Sequence, residues 1–271
     1  MLAKRTLVAV ALLPVGLAVI ILGGFWYFAT VALILSLAAL EFARLFKAGG
    51  YQPAGFFILV GTLLLLTVRY FYGPEASHWA VSLVILGAMT YHLIQFEHGS
   101  SQAATDFSIT LAGALYLGWI GSYLVSLRAL PGGMWWVLTV LPSVWLADIG
   151  AYLGGKTFGK HKMSPRLSPG KTWEGYMGGI LTSVAVTPLL VWLYQFWGEV
   201  PAGLTPLHGA LIGLALSLLT PLGDLGESMI KRQASAKDSG TLLPGHGGVF
   251  DRIDSWLWAG VIGYYLIIWI F

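Results

Sequence analysis

The sequence predicts an all-α polytopic membrane protein of about nine transmembrane helices, and three observations carry that prediction. Of 271 residues, 57% are hydrophobic and only 10% charged, against roughly 45–50% apolar and about 25% charged in a soluble domain. Apolar runs recur at lengths close to the ~20 residues a helix needs to cross a bilayer. The basic residues are also segregated. With the N-terminus cytoplasmic and the C-terminus on the opposite side, 13 of the 15 fall in cytoplasmic segments, the bias that positive-inside topology requires. The two exceptions, Arg69 and Arg128, are expected to snorkel at helix ends.

Taken in order, Lys4 and Arg5 precede a first apolar run, residues 6–22. It reads as a retained helix because no small-residue cleavage site follows it. Gly23-Gly24 separates it from 25–43, and Gly49-Gly50 precedes 54–72. Gly73-Pro74 leads to 79–96, a polar run at 98–105 to 107–127, and Pro131-Gly132-Gly133 to 134–154. Pro201 divides 175–197 from 206–230, and the last span is 250–271. Residues 1–130 read as a scaffold of about five helices with few internal polar groups. Residues 131–271 read as a catalytic transmembrane region with two cytoplasmic polar segments, 155–174 and 231–252. Gly175/Gly179 and Gly209/Gly213 have the spacing of closely packed helices. Cysteine is absent, which excludes disulfides, thiolate metal sites and a Cys nucleophile.

The acids lie just beneath the cytoplasmic surface. Asp148 falls eight residues before Lys156, about 12 Å along a helix, and Asp224 seven before Lys231, about 10 Å. A charge at that depth is costly and marks either a function or a structural pairing with a nearby lysine. Asp224, Glu227, Ser228 and Lys231 share one helix face, and Pro221 just before them breaks the backbone ladder. Such breaks are tolerated where the freed groups line a polar cavity. Further on, Gly245, Gly247 and Gly248 precede a helix beginning near Phe250, a natural seat for an anion. Asp251 and Asp254 follow on one face. With Asp224 on a neighbouring helix they could bind a hard cation such as Mg²⁺. Taken singly, Asp251 also suits a helix-dipole charge and His246 a loop hydrogen bond.

The segment 155–174 combines five bases with Gly, Ser and Thr, which suits phosphate contacts, although a basic loop also sets topology. Within it GAYLGGKT, residues 150–157, formally matches a phosphate-loop pattern. That pattern has meaning only between a strand and a helix of an α/β unit; here it follows a membrane span, so it is a coincidence of spelling.

Residues 228–254, SMIKRQASAKDSGTLLPGHGGVFDRID, resemble the signature of the phosphatidate cytidylyltransferase (CDP-diacylglycerol synthase) family. Ser228, Lys231, Arg232, Lys237, Asp238, His246, Gly247, Gly248, Asp251, Arg252 and Asp254 stand at the matching places. ADIGAYLGGK and SPGKTWEG resemble further family segments, so the likeness covers the second half of the chain. Many members carry two lysines where this chain has Gly170-Lys171. The resemblance implies transfer of CMP from CTP to phosphatidic acid, giving CDP-diacylglycerol and pyrophosphate. It further implies Mg²⁺, a homodimer and a bacterial inner membrane with the site facing the cytoplasm; the converging carboxylates leave room for a second ion without fixing the number. Membrane lipids are expected partners and nucleic acid is not.

The chemistry suits the residues. A lipid phosphate oxygen is already ionised at neutral pH, so the protein must mainly align and neutralise two polyanions. Asp224 and Asp251 are the expected Mg²⁺ ligands, with Asp254 and Asp148 as further ligands or supporting groups. Lys231, Arg232, Lys237 and Arg252 are expected on the triphosphate. Ser168, Lys171, Thr172 and Glu174 are expected to shape the nucleotide or headgroup pocket. The alternatives are a CTP-dependent lipid kinase and a transporter with buried acids; against the latter, the first half shows no broken span matching that of the second.

Overall fold

The computed structural model describes residues 13–198, 200–201, 203–240, 242 and 247–270. Its helices in chain order are α1 (Leu13–Leu22), α2 (Gly24–Ala48), α3 (Gly55–Tyr72), α4 (Ser77–Glu97), α5 (Ala103–Ala114), α6 (Tyr123–Ala129), α7 (Gly133–Phe158), α8 (Trp173–Tyr194), α9 (Pro206–Leu219), α10 (Pro221–Gln233) and α11 (Phe250–Ile270). A π-helical turn, Leu115–Ile120, joins α5 towards α6. Two short antiparallel strands, β1 (Lys162–Ser164) and β2 (Ser168–Thr172), lie between α7 and α8. Among the described residues, 8 helical stretches are long and apolar enough to span a membrane, with Ala103–Ala129 and Pro206–Gln233 each counted as one. Leu13–Leu22 is a shorter apolar helix; the rest of the expected first span, with Lys4 and Arg5, lies outside the described residues. The chain is an all-α polytopic membrane protein.

The chain forms two compact units. One takes in Met1–Ser126, so far as described, with Ile230–Ile253; the other takes in Leu127–Met229 with Asp254–Phe271.

In the first unit, Leu65, Val68, Ala80, Val84 and Ala114 form a buried cluster. The polar content of this half exceeds the sequence expectation. Glu41, Arg69, His92, Asp106 and Thr110 are all buried. Each of them is tied into the unit. Asp106 Oδ1 accepts from the Gln52 N–H at 2.8 Å, and Thr110 Oγ1 accepts from the Ala54 N–H at 2.9 Å. Arg69 does not snorkel: at 5% exposure its guanidinium lies 4.0 Å from the Tyr123 ring centroid. Its Nε donates to Ser126 Oγ at 2.8 Å. Arg is weakly hydrated and stacks on aromatic faces, so burial against such partners can outweigh reaching for water.

In the second unit, glycines set the approach of α7 to α8. A Cβ on Gly175 would lie 2.7 Å from the Ala151 carbonyl oxygen, and one on Gly179 2.7 Å from that of Ala147. No rotamer relieves a clash with backbone, so only a hydrogen fits there. Between them Ser183 Oγ donates to the Ser143 carbonyl at 3.1 Å, and Thr187 Oγ1 donates to Ser143 Oγ at 3.1 Å. The expected single span 206–230 breaks at Thr220, where α9 ends and α10 starts at Pro221. Proline lacks an N–H and is favoured in a helix's first turn, where none is needed.

Candidate active site

The polar residues of the second unit gather where three helices begin or end. The residues GAYLGGKT close α7, which runs to Phe158. Lys156 and Thr157 are therefore helical, with no strand before them, and the phosphate-loop match has no structural counterpart. After α7 the chain turns through Gly159–His161 into the β1–β2 hairpin. Thr172 ends the hairpin and caps α8: its Oγ1 accepts from the Gly175 N–H at 3.1 Å. Buried Thr172 thus spends its hydroxyl on the helix start. Glu174, in the first turn of α8, accepts from the backbone N–H groups of Lys160 and His161 and pairs with His161 Nδ1 at 2.6 Å. Both side chains shape the loop that presents Lys171. Ser168 opens β2, opposite Ser164.

Lys171 reaches α10. Its Nζ lies 2.7 Å from Asp224 Oδ2 and donates to the Pro221 carbonyl oxygen at 3.4 Å. Lys171 thus holds the first turn of α10 by a side chain and by a backbone carbonyl. Asp224 does not stand alone. One carboxylate oxygen from each of Asp224, Glu227 and Asp254 lies within 4.8 Å of the others. Asp224 and Glu227 are one turn apart on α10, and Asp254 comes from the second turn of α11. Glu227 and Asp254 are buried, at 2% and 8% exposure, while the Asp224 side chain keeps 41%. Ser228 Oγ lies 3.5 Å from Asp224 Oδ1, and Asp254 Oδ1 accepts from the Ser255 N–H at 2.6 Å. Asp148, on α7, is exposed and stands outside this group of three.

Three carboxylates this close repel one another unless a proton or a nearby cation supplies a balancing charge. Lys171 supplies part of it. An all-oxygen donor set at this separation also fits a hard cation: Mg²⁺ takes oxygen ligands at about 2.0–2.1 Å. Opposed oxygens in such a site lie about twice that distance apart, inside the 4.8 Å that bounds the three carboxylate oxygens. The residues therefore fit the ion that the sequence suggests.

The first unit holds the second polar group, from the end of α10 to the start of α11. Lys231 Nζ donates to Asp251 Oδ1 at 2.6 Å, with both side chains largely buried. Asp251 Oδ2 accepts from the Ser239 N–H at 2.9 Å, from Ser239 Oγ at 2.9 Å and from the Gly248 N–H at 2.8 Å. Gly247 has φ +82°, in the left-handed region that glycine adopts without strain. Arg232, Lys237, Asp238 and Arg252 are exposed. His246 lies outside the described residues.

Sequence reasoning missed three participants. Glu227 was placed on the right helix face but not among the ligands. Ser239 carries no signal of its own. Glu41, buried on α2, accepts from the Phe250 N–H at 2.8 Å and from Ser239 Oγ at 3.2 Å. It was legible as the single acid inside a long apolar span, which marks a functional position by cost alone.

The comparisons with known proteins agree with this chemistry. The model of the cytidylyltransferase family matches residues 3–271. The chain is 38% identical over 279 residues to a phosphatidate cytidylyltransferase of Pseudomonas aeruginosa, covering 99% of this chain and 97% of that one. It is 34% identical over 297 residues to one of Synechocystis sp., covering 98% and 96%. A third, from Staphylococcus haemolyticus, is 31% identical over 257 residues, covering 93% and 94%. The chain belongs to the cytidylyltransferase family.

Proposed function

We propose that this integral membrane protein transfers CMP from CTP to phosphatidic acid, releasing pyrophosphate and forming CDP-diacylglycerol. The observation that carries the reading is the clustered Asp224, Glu227 and Asp254 with Lys171 on Asp224. Such a site binds phosphate chains through cations and contains no strong general base. The lipid phosphate oxygen attacks the α-phosphorus of CTP, a new P–O bond forms, and the α–β bridging oxygen leaves with pyrophosphate. No proton need be removed from the nucleophile. Catalysis then consists of alignment and neutralisation.

Asp224, Glu227 and Asp254 would hold Mg²⁺, and the resemblance of the sequence adds Asp251 and Asp148 as further proposed ligands. When bound, the ion would neutralise phosphate oxygens and polarise the α-phosphorus. The exposed Arg232, Lys237 and Arg252 are proposed to receive the triphosphate. Lys231, held by Asp251, is proposed to steady the departing pyrophosphate. Lys171, Ser168 and Ser228 are proposed to orient the lipid phosphate or the nucleotide. The resemblance further supports a homodimer in a bacterial inner membrane with the site on the cytoplasmic side.

The test is product analysis with purified protein, phosphatidic acid and CTP. Formation of CDP-lipid with stoichiometric pyrophosphate supports the proposal. Release of CDP would mark a lipid kinase, and absence of any nucleotide turnover would leave the transporter reading.

A further inference from the structure

Glu41 stands on α2, far in sequence from the signature segment, yet its carboxylate is enclosed by that segment. Its exposure is 4%. Oε2 accepts from the Phe250 N–H and faces Ser239 Oγ. Ser239 Oγ also lies 2.9 Å from Asp251 Oδ2, so one hydroxyl proton is within reach of two carboxylates. A Cβ on Gly240 would lie 2.5 Å from Glu41 Oε1, and one on Gly248 would collide with Oε2. The two glycines leave the space that the carboxylate fills. Next to it, the Phe42 ring meets the Phe250 ring edge-on at 5.8 Å. Adjacent residues of α2 therefore grip Phe250 by its N–H and by its ring.

A packing role alone would be served by leucine. A carboxylate in an apolar helix is costly unless its hydrogen bonds do something that apolar contact cannot. Here they satisfy an N–H at the start of α11, which has no acceptor within its own helix, and they meet the same Ser239 that supports Asp251. We propose that Glu41 is a positioning residue for the reaction: it holds Ser239 and the start of α11 so that Asp251 stays set against Lys231. The link to catalysis rests on the function proposed above; the grip itself does not.

Hydrogen exchange in detergent, read over residues 239–251, separates the two. Glu41→Leu removes both acceptor oxygens at similar size and should speed exchange at Ser239, Gly248 and Phe250 about tenfold or more. Peptides from α7 and α8 should be unchanged. CDP-lipid turnover should fall by a similar factor. Glu41→Gln keeps a carbonyl oxygen able to accept both bonds and should retain protection and most of the turnover. Should Glu41→Leu not fold, Glu41→Asp, one methylene too short to reach, carries the same expectation. Wild-type exchange in the variants lacking the reach would overturn the proposal. So would Gln as damaging as Leu, or lost protection with undiminished turnover. If the wild-type protein forms no CDP-lipid, the exchange data still decide whether Glu41 holds the segment, and the failure belongs to the proposed function.

Discussion

The side chains that distinguish this protein are acids in places where acids are expensive. Glu227 and Asp254 are nearly inaccessible, and Asp224 is neutralised in part by Lys171 at 2.7 Å. Replacing Asp224 by Asn keeps the shape and removes the charge that would offset a cation. Turnover should drop about 10²-fold or more, the equivalent of roughly 2.7 kcal/mol in the barrier. Glu227→Gln should also lower it, by about tenfold. Both losses should lessen as Mg²⁺ is raised; rates across a Mg²⁺ titration check this, with size-exclusion profiles as the folding control. Asp251→Asn should cost about 10²-fold as well, since it loosens Lys231 besides any effect on an ion. Near-normal turnover in that variant would leave Asp251 a helix-start charge. Lys156→Ala, by contrast, should leave cytidylyl transfer in place, because Lys156 sits in the last turn of α7 with no phosphate loop around it. Appearance of an ATPase activity that vanished with Lys156 would refute that.

At the scale of elements, α7 and α8 pack backbone to backbone at their glycines. Gly179 on α8 meets the Ala147 carbonyl of α7 at a distance no side chain tolerates. Gly179→Val should destabilise the unit by about 1–3 kcal/mol or more, visible as a lower thermal midpoint in detergent. Gly170 in β2 has nothing within 4 Å of its would-be Cβ, so Gly170→Ala should stay within about 0.5 kcal/mol. Thr172→Val removes the α8 cap and should cost about 1 kcal/mol. The spacing of Gly175 and Gly179 was readable from the sequence, because close helices in membranes need small residues at i and i+4. That Thr172 and Glu174 would serve the hairpin and the helix start was not. Ser-Pro-Gly-Lys-Thr-Trp-Glu-Gly looks the same whether its hydroxyl and carboxylate meet a ligand or the chain's own N–H groups.

For the whole molecule, the segregation of bases predicts that the two termini lie on opposite faces of the membrane. The chain contains no cysteine, so single cysteines introduced at residues 1 and 271 can be labelled from each side without background. Labelling of both from one side would refute the nine-span topology.

The amino-acid sequence by itself determined the class of the protein and most of its spans, since a bilayer accepts a helix only as a long apolar run. It also determined the chemistry through the resemblance of residues 228–254, which are contiguous and so are read without knowing the fold. Tertiary structure alone decided which acids meet. Glu227 joins Asp224 and Asp254 because packing sets the first turns of α10 beside the second turn of α11. Glu41 meets Ser239 and Phe250 although 198 and 209 residues separate them. No local pattern encodes such a meeting; it arises only when packing brings an otherwise costly buried carboxylate to donors that lack a partner in their own helix.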